Sequence, residues 1–537
     1  MTRSKISAVE TFGFVIAMIF YVFLVNKVNA DEIETIVVVG STEHAVTSDP
    51  VTDITLLESL MPETTVAGGF GGFSGYSERG TQPIHTTVFR NGVPANDAGA
   101  GWYDFAHDLA TGNETVKIVN GPNSVLYGSG SLGGTIFIND NIQPGSTVRA
   151  GSDHQFVSHS LDNLLNITYL NATNDSVRTD NDEEDDYKNL TARGQVDFGS
   201  YRANLMINNY EYDFDQCWDN WGLYTNTCMQ EGQRGAISVR GDEWTVGHTW
   251  NDADYFADSD TIWTSEASRW YADYRKNLVL IIGEELLGEA IVGATFEQQE
   301  YDSDTEDDYA VYGVYKTLFG LEVGSRITQD AFVYRIGYEN EGFFANLGTA
   351  FRNPNLYQLR GDAWTNPNPG LEPEESIGYE LGWNKMTYFN YRFSEGIDYD
   401  FNENQYVNIG KYNTQGFRFS DTFILGPSAW IFTDIGYTDT EQPRVAKYKF
   451  VVSGTYILGD YTTKLTYTGM FDRKQSPYDT KEIKNINSFD FSIQKPLGNN
   501  YLISATFRDI LDKEFEVIPD YRAGGRQIFL TLQYRPE

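Results

Sequence analysis

Between residues 190 and 207, apolar and polar side chains take turns along the chain. Leu190, Ala192, Val196 and Phe198 alternate with Thr191, Arg193, Gln195 and Asp197. After Gly199 and Ser200 the apolar face resumes at Tyr201, Ala203, Leu205 and Ile207. The same period returns where Tyr448, Phe450, Val452 and Tyr456 face away from Lys449, Ser453 and Thr455. It returns again at Ile528, Leu530, Leu532 and Tyr534 against Phe529, Thr531 and Gln533. A period of two sends successive side chains to opposite faces of a strand, one toward lipid or core and the other toward water. The chain therefore reads as antiparallel strands from residue 142 to residue 537. Tight-turn residues at Gly426-Pro427-Ser428, Gly459-Asp460 and Gly498-Asn499-Asn500 recur every ~36 residues, one hairpin apiece. That spacing predicts about 22 strands, enough to close a wide barrel.

Residues 31–141 have a different texture, rich in glycine and poor in long alternating runs. Within residues 119–139, Gly121, Gly128, Gly130, Gly133 and Gly134 punctuate two short runs, Ser124 to Tyr127 and Thr135 to Ile138. Both runs read as β-rich. Glycine at this density predicts tight turns or a backbone packed closely on another surface. Ahead of this region, Arg3 and Lys5 precede an apolar run over residues 12–25, and Val28-Asn29-Ala30 offers small residues for cleavage. This pattern predicts a secretory signal peptide over residues 1–30. Its apolar core is shorter than the roughly 20 residues a spanning helix needs. No other long apolar stretch follows, so membrane residence rests on a β-barrel.

Composition narrows the function classes. The formal charge is −37, from 76 acidic and 39 basic residues. Nucleic acid is excluded as a partner, because phosphate binding needs clustered Lys and Arg. An aromatic content of 15% argues against disorder. It fits a barrel with aromatic girdles, although a large secreted β-propeller shares much of this composition. Acid concentrates in residues 179–189, 251–260 and 301–309, predicted to be long loops at the end opposite the short turns. Cys217 and Cys228 flank a polar, aromatic segment, and export would join them as a disulfide. There is no Gly-x-Ser-x-Gly, no Cys/His metal spacing and no phosphate loop, so no enzyme is expected. A secreted β-propeller glycosidase is the rival of a different class, and an adhesin or passive porin is a third reading.

Several segments resemble the plug domain of TonB-dependent outer-membrane receptors. They are Leu60-Met61-Pro62, Gly68-Gly69-Phe70-Gly71-Gly72, Ser77-Glu78-Arg79-Gly80, Val88-Phe89-Arg90-Asn91-Gly92-Val93-Pro94, Gly121-Pro122, Tyr127-Gly128 and Gly133-Gly134. Further along, Phe351-Arg352-Asn353-Pro354-Asn355-Leu356 and the pair Pro373-Glu374 resemble elements of the receptor barrel. So do Asn408-Ile409-Gly410-Lys411, Asp509-Ile510-Leu511-Asp512-Lys513 and Ala523-Gly524-Gly525-Arg526. The resemblance implies a mainly β protein: a transmembrane antiparallel barrel over residues 142–537 with an N-terminal α+β plug over 47–141 in its lumen. It also implies a TonB box and linker over residues 31–46. Glu34, Thr35, Ile36, Val37, Val38 and Val39 form a β-branched run that could add as a strand to a partner sheet. The implied partners are TonB with its inner-membrane energising complex, outer-membrane lipid and a scarce nutrient. The implied state is a monomer without covalent cofactor in a Gram-negative outer membrane.

Two departures stand out. Asn120 replaces the Arg usual before Gly-Pro, so an altered plug–barrel lock is expected, with Arg79 its remaining candidate. Tyr534 is followed by Arg535-Pro536-Glu537, whereas the family usually ends on an aromatic residue. Three cargoes compete. Haem receptors place an axial His beside the Asn-Pro-Asn-Leu box, and no His occurs from Phe351 to Glu374. His85 and His107 read as solvated loop histidines. An acidic entrance opposes anionic ferric siderophores. Cobalamin avoids that penalty, and the order of C-terminal motifs is most like the cobalamin receptor subgroup. By that likeness Asp180, Asp182, Asp185, Asp186, Asp213 and Asp215 are candidate Ca²⁺ ligands. Tyr76, Trp102 and Tyr103 are candidate cargo contacts of an apical loop.

Overall fold

A computed structural model describes residues 46–47, 64–66, 71–175, 184–282, 285–362, 365–475, 482–513, 516–518, 521–522 and 525–536. The expected signal peptide, the run from Glu34 to Val39, and Asp180 and Asp182 lie outside the described residues. Twenty-two strands form one closed barrel, each pairing with its neighbours in chain order. The last strand, Gln527–Tyr534, pairs antiparallel with the first, Gly145–Gly151, and seals the wall. Closure removes the unpaired edges of an open sheet and satisfies every strand from both sides. The expected turns at Ser428, Asp460 and Asn499 each join a paired hairpin. Among the described residues no helix is long and apolar enough to cross a membrane. Strands do the crossing.

The wall is inverted relative to a water-soluble protein. On the strand Glu184–Phe198, Leu190 is 45% exposed while its neighbour Thr191 is 1% exposed. Leu190, Val196, Leu205, Ile237, Leu465 and Leu530 point outward and are exposed, whereas Arg193, Asn208, Glu322 and Glu380 point inward and are buried. An apolar outside and a polar inside is the pattern of a membrane barrel.

The lumen is filled by the N-terminal part of the chain. A five-stranded sheet runs in the order Val46–Thr47, Thr115–Asn120, Gly134–Asn139, Thr86–Arg90, Val93–Pro94. Thr86–Arg90 lies parallel to Gly134–Asn139, and the other pairings are antiparallel. Asn91 (φ 48°) and Gly92 (φ 88°) make the two-residue turn between the last two strands. Both central residues are left-handed, which is why Asn-Gly stands there. Val88, Val116, Ile118, Ile136 and Ile138 form the small core of this domain.

Two expectations are corrected. Ser124–Tyr127 is a single helical turn and not a strand. Pro122 before it and Gly128 after it are helix start and stop signals, and they outweigh the β propensity of a four-residue run. The acidic segments 251–260 and 301–309 are strand ends joined by short turns, not long loops. Asp258 and Ser259 adopt positive φ, as does Asp302, so tight turns form where loops were expected. The acidic side chains ride on ladders whose neighbours hold them extended.

A charge placed on the outer face should cost far more than one placed inside. Leu530→Arg, at mid-height of the last strand, is expected to destabilise the barrel by about 2–4 kcal/mol. Thr531→Ser on the inward face should be near neutral. Urea unfolding in lipid vesicles reads both values.

Candidate functional site

The chemistry of the chain concentrates at the seam between the lumenal domain and the wall. Wall side chains donate hydrogen bonds to lumenal carbonyls around much of the circumference. Arg193 Nη2 reaches Leu109 O (2.5 Å), Arg234 Nη1 reaches Asp104 O (2.6 Å) and Arg269 Nη1 reaches Asn96 O (2.9 Å). Ser238 reaches Asn91 O (3.0 Å), and Thr414 reaches Arg79 O (2.7 Å).

Buried ions reinforce this belt. Arg79 pairs through Nη1 with the wall carboxylate of Glu380 and lies 2.5 Å from the Tyr391 hydroxyl. Its guanidinium also sits 5.0 Å from the centre of the Phe389 ring. The expected lock residue is therefore at the seam, with a wall carboxylate as partner. Next to it, Glu78 lies 3.2 Å from Arg79 Nε and 3.5 Å from Arg418 Nη1 of the wall, and it accepts from the Tyr76 hydroxyl. Arg418 is held in turn by Asp434 at 2.8 Å. A second network joins Arg90 to Asp108 and Asp140 at 2.5 Å each, with Arg193 of the wall at 3.5 and 3.4 Å from the same two carboxylates.

The Asn-Pro-Asn-Leu element is a clamp on the same domain. Phe351 packs with Val125 and Leu126 of the lumenal helical turn. The backbone N–H of Asn353 donates to Ser129 Oγ (2.9 Å), and Asn355 Nδ2 donates to Ala100 O (2.8 Å). Asn355 Oδ1 also caps the helix Leu356–Arg360 by accepting from Gln358 N (2.8 Å). Leu356 is buried among Ala98, Ala267 and Tyr301. Glu374, from the Pro-Glu pair, accepts from Arg352 and lies 3.0 Å from His85 Nε2 of the lumenal domain. The motif thus grips the lumenal domain at several points.

Several site expectations need correction. Tyr76 and Tyr103 are buried in the lumenal core rather than displayed on an exposed loop, their hydroxyls bonded to Glu78 and Asp108. Trp102 alone of the three is exposed, its ring edge-on to Phe73 at 5.5 Å. His85 and His107 are not solvated. His85 stacks on Phe393 at 5.3 Å and bonds Tyr412 at 2.9 Å, while His107 stacks on Tyr210 at 3.6 Å. A domain enclosed by a wall buries polar loop residues that a free domain would expose. Of the aspartates proposed for Ca²⁺, Asp186 accepts from Thr173 Oγ1 (2.6 Å), and its backbone N–H donates to Asp213 Oδ2 (3.2 Å). Asp185 and Asp215 are buried. Among the described residues no group of His, Cys, Asp or Glu is arranged to hold a metal ion. Cys217 and Cys228 are joined as a disulfide. Glu380, Arg418 and Asp434 escaped notice in the sequence, because only strand register brings them to Glu78 and Arg79.

A closed 22-stranded wall around a bonded lumenal domain defines the class of plugged membrane-barrel transporters. Residues 74–508 match the family model for the TonB dependent receptor-like β-barrel, and the chain belongs to that family. Among solved structures, the chain is similar to the ferric enterobactin receptor of Pseudomonas aeruginosa bound to enterobactin. There 93% of this chain and 100% of that one align at 13% identity, with a TM-score of 0.69. It is also similar to the siderophore receptor PirA of Pseudomonas aeruginosa (92% and 99% covered, 16% identity, TM-score 0.63). A third is the siderophore receptor PiuA of Acinetobacter baumannii (92% and 96% covered, 14% identity, TM-score 0.67). At these identities the likeness is one of fold.

Two lumenal groups titrate in opposite senses. Burial pushes the Asp104 carboxyl up to about 6, although bonds from Ser74 and Ala106 N–H and the Arg234 charge pull it down. Burial, with help from Arg234, holds the His107 imidazole well below its ordinary 6.5. Folded Asp104 keeps a proton that the unfolded chain loses, so its contribution falls as pH rises from about 4 to 6. Folded His107 refuses a proton that the unfolded chain takes, so its contribution falls as pH drops below about 6.5. Asp104→Asn should leave stability that rises with pH over this window, and His107→Gln stability that falls with it. Hydrogen exchange of the lumenal amides at pH 4.5–6.5 distinguishes the two slopes.

Proposed function

We propose that the protein is a TonB-energised importer of a bulky metal chelate, with the lumenal domain acting as the plug that must give way. One observation carries this reading: the barrel is filled by a domain bonded to the wall through buried ions and carbonyl contacts. A passive porin needs an open lumen, and a barrel plugged this firmly conducts only when work is done on the plug. Glu34 to Val39 would be the segment on which the energising partner pulls.

For the cargo, a ferric siderophore is supported by the proteins of like fold, which are named as siderophore receptors. The charge of the chain refines this. Residues 31–142 carry 14 acids and three bases, Arg79, Arg90 and Lys117. Arg79 and Arg90 are both committed to buried carboxylates. The whole chain carries a net charge of −37, a field that favours a neutral or cationic chelate over a strongly anionic one. Cobalamin is the second reading, favoured by the same charge.

Equilibrium binding to the purified protein in detergent tests the cargo, using ferric siderophores of negative, zero and positive charge, haem and cobalamin, with and without Ca²⁺. A neutral or cationic ferric siderophore is expected to bind most tightly. Tighter binding of cobalamin would select the second reading, and preference for an anionic chelate would overturn the charge argument. Replacing Ile36 and Val38 with proline should abolish uptake of whichever cargo binds while leaving its affinity unchanged. Undiminished uptake in that variant would rule out energised import.

A further inference from the structure

We infer that Arg418 is the second cation of the plug–wall lock, supplied by the wall where the plug has only Asn120. The inference rests on the reading of the lumenal domain as a plug. Asn120 has neighbours that abut two buried carboxylates, Glu78 of the plug and Glu380 of the wall. Gly134, its partner in the sheet, would place a Cβ 3.4 Å from Glu78 Cγ, and Gly121 would place one 2.9 Å from Glu380 Oε1. A cation is wanted at this place, because Glu78 and Glu380 are both fully buried and Arg79 is shared between them. A buried carboxylate without sufficient positive charge costs several kcal/mol. Arg418 reaches into the same place from the opposite side, 3.5 Å from Glu78, with Asp434 steadying its guanidinium. The result is an alternating row: Glu380, Arg79, Glu78, Arg418, Asp434. Plug and wall each contribute both signs.

The arrangement repeats elsewhere at the seam. Arg193 of the wall faces the plug carboxylates Asp108 and Asp140. Arg335 of the wall donates to Asn123 (2.7 Å) while held by Glu322 (2.8 Å). Wall arginines thus reach the plug at several places round the seam. Glu78 and Arg79 are adjacent on one short turn, where Arg79 has φ 50°. A displacement of that turn breaks both arms together.

The rival reading is that Arg418 serves only to neutralise Asp434 within the wall. Arg418→Gln combined with Asp434→Asn separates the two, since the wall pair is then removed as a unit and only Glu78 is left short of a cation. Each variant is expressed as the full chain in cells, with heat-modifiable migration confirming a folded barrel. Two quantities are read: hydrogen exchange of the amides of Arg79, Gly80 and Thr81, and sensitivity of the cells to vancomycin. The double variant is expected to raise exchange roughly tenfold, as for neighbours in one charge network, and to sensitise the cells. Adding Asn120→Arg to it should return both readings close to wild type. Wild-type exchange in the double variant, or no rescue by Asn120→Arg, overturns the assignment. Arg79→Gln is the control for the underlying reading. If it too leaves exchange and sensitivity unchanged, the domain is not a locked plug and the proposal falls with it.

Discussion

A closed barrel in a membrane turns the usual problem of a protein core around. Its outer face is solvated by lipid and needs only apolar side chains, while its inner face carries the polar half of every strand. Thr191, Arg193, Asn208, Glu322 and Glu380 are all buried. Unpaired, each would cost free energy in proportion to its charge. A polar, charged domain of complementary pattern must therefore occupy the lumen, or water must. Here the domain does so, and the carbonyls of its loops accept from wall arginines, serines and threonines. The lumenal domain is small, and its apolar core is modest. Much of what holds it in place is this match with the wall.

That dependence explains which features the sequence revealed. Alternation around Leu190 and Leu530 announced strands, and turns at Ser428, Asp460 and Asn499 announced their number, because both signals are local. Arg79 could be singled out, but its partners could not. Glu380 lies 301 residues away in the chain, and only the register of the wall brings it close. Tyr76, Tyr103, His85 and His107 were misread by one assumption, that polar loops of a small domain face water. Inside a barrel they face another protein surface. Acidic residues 251–260 were misread for a related reason: propensity argued for a loop, while pairing on both sides kept the segment extended.

The Asn-Pro-Asn-Leu element shows how one short motif ties distant parts together. Its residues meet the lumenal domain at the helical turn, at Ser129, at Ala100 and, through Glu374, at His85. A shift of the motif could not occur without disturbing the domain it holds. Asn355 is spent on Ala100 and on the cap of the helix Leu356–Arg360, whereas Asn353 holds the domain through its backbone N–H.

The wall is not of even height. Around the closure, Tyr501–Arg508, Gln527–Tyr534, Gly145–Gly151 and His154–Leu161 have only seven or eight residues. Such strands fall slightly short of the ~9–11 residues that cross a bilayer. Farther round, Trp244–Ala257, Asp260–Ile282, Glu285–Tyr301 and Asp304–Thr317 have 14, 23, 17 and 14. Where these strands meet at Asp252, Asp254, Asp260, Asp304, Glu306 and Asp307, the taller wall carries a concentration of acid. The wall is thus lopsided, low where the chain closes on itself and tall where its acidic strands stand.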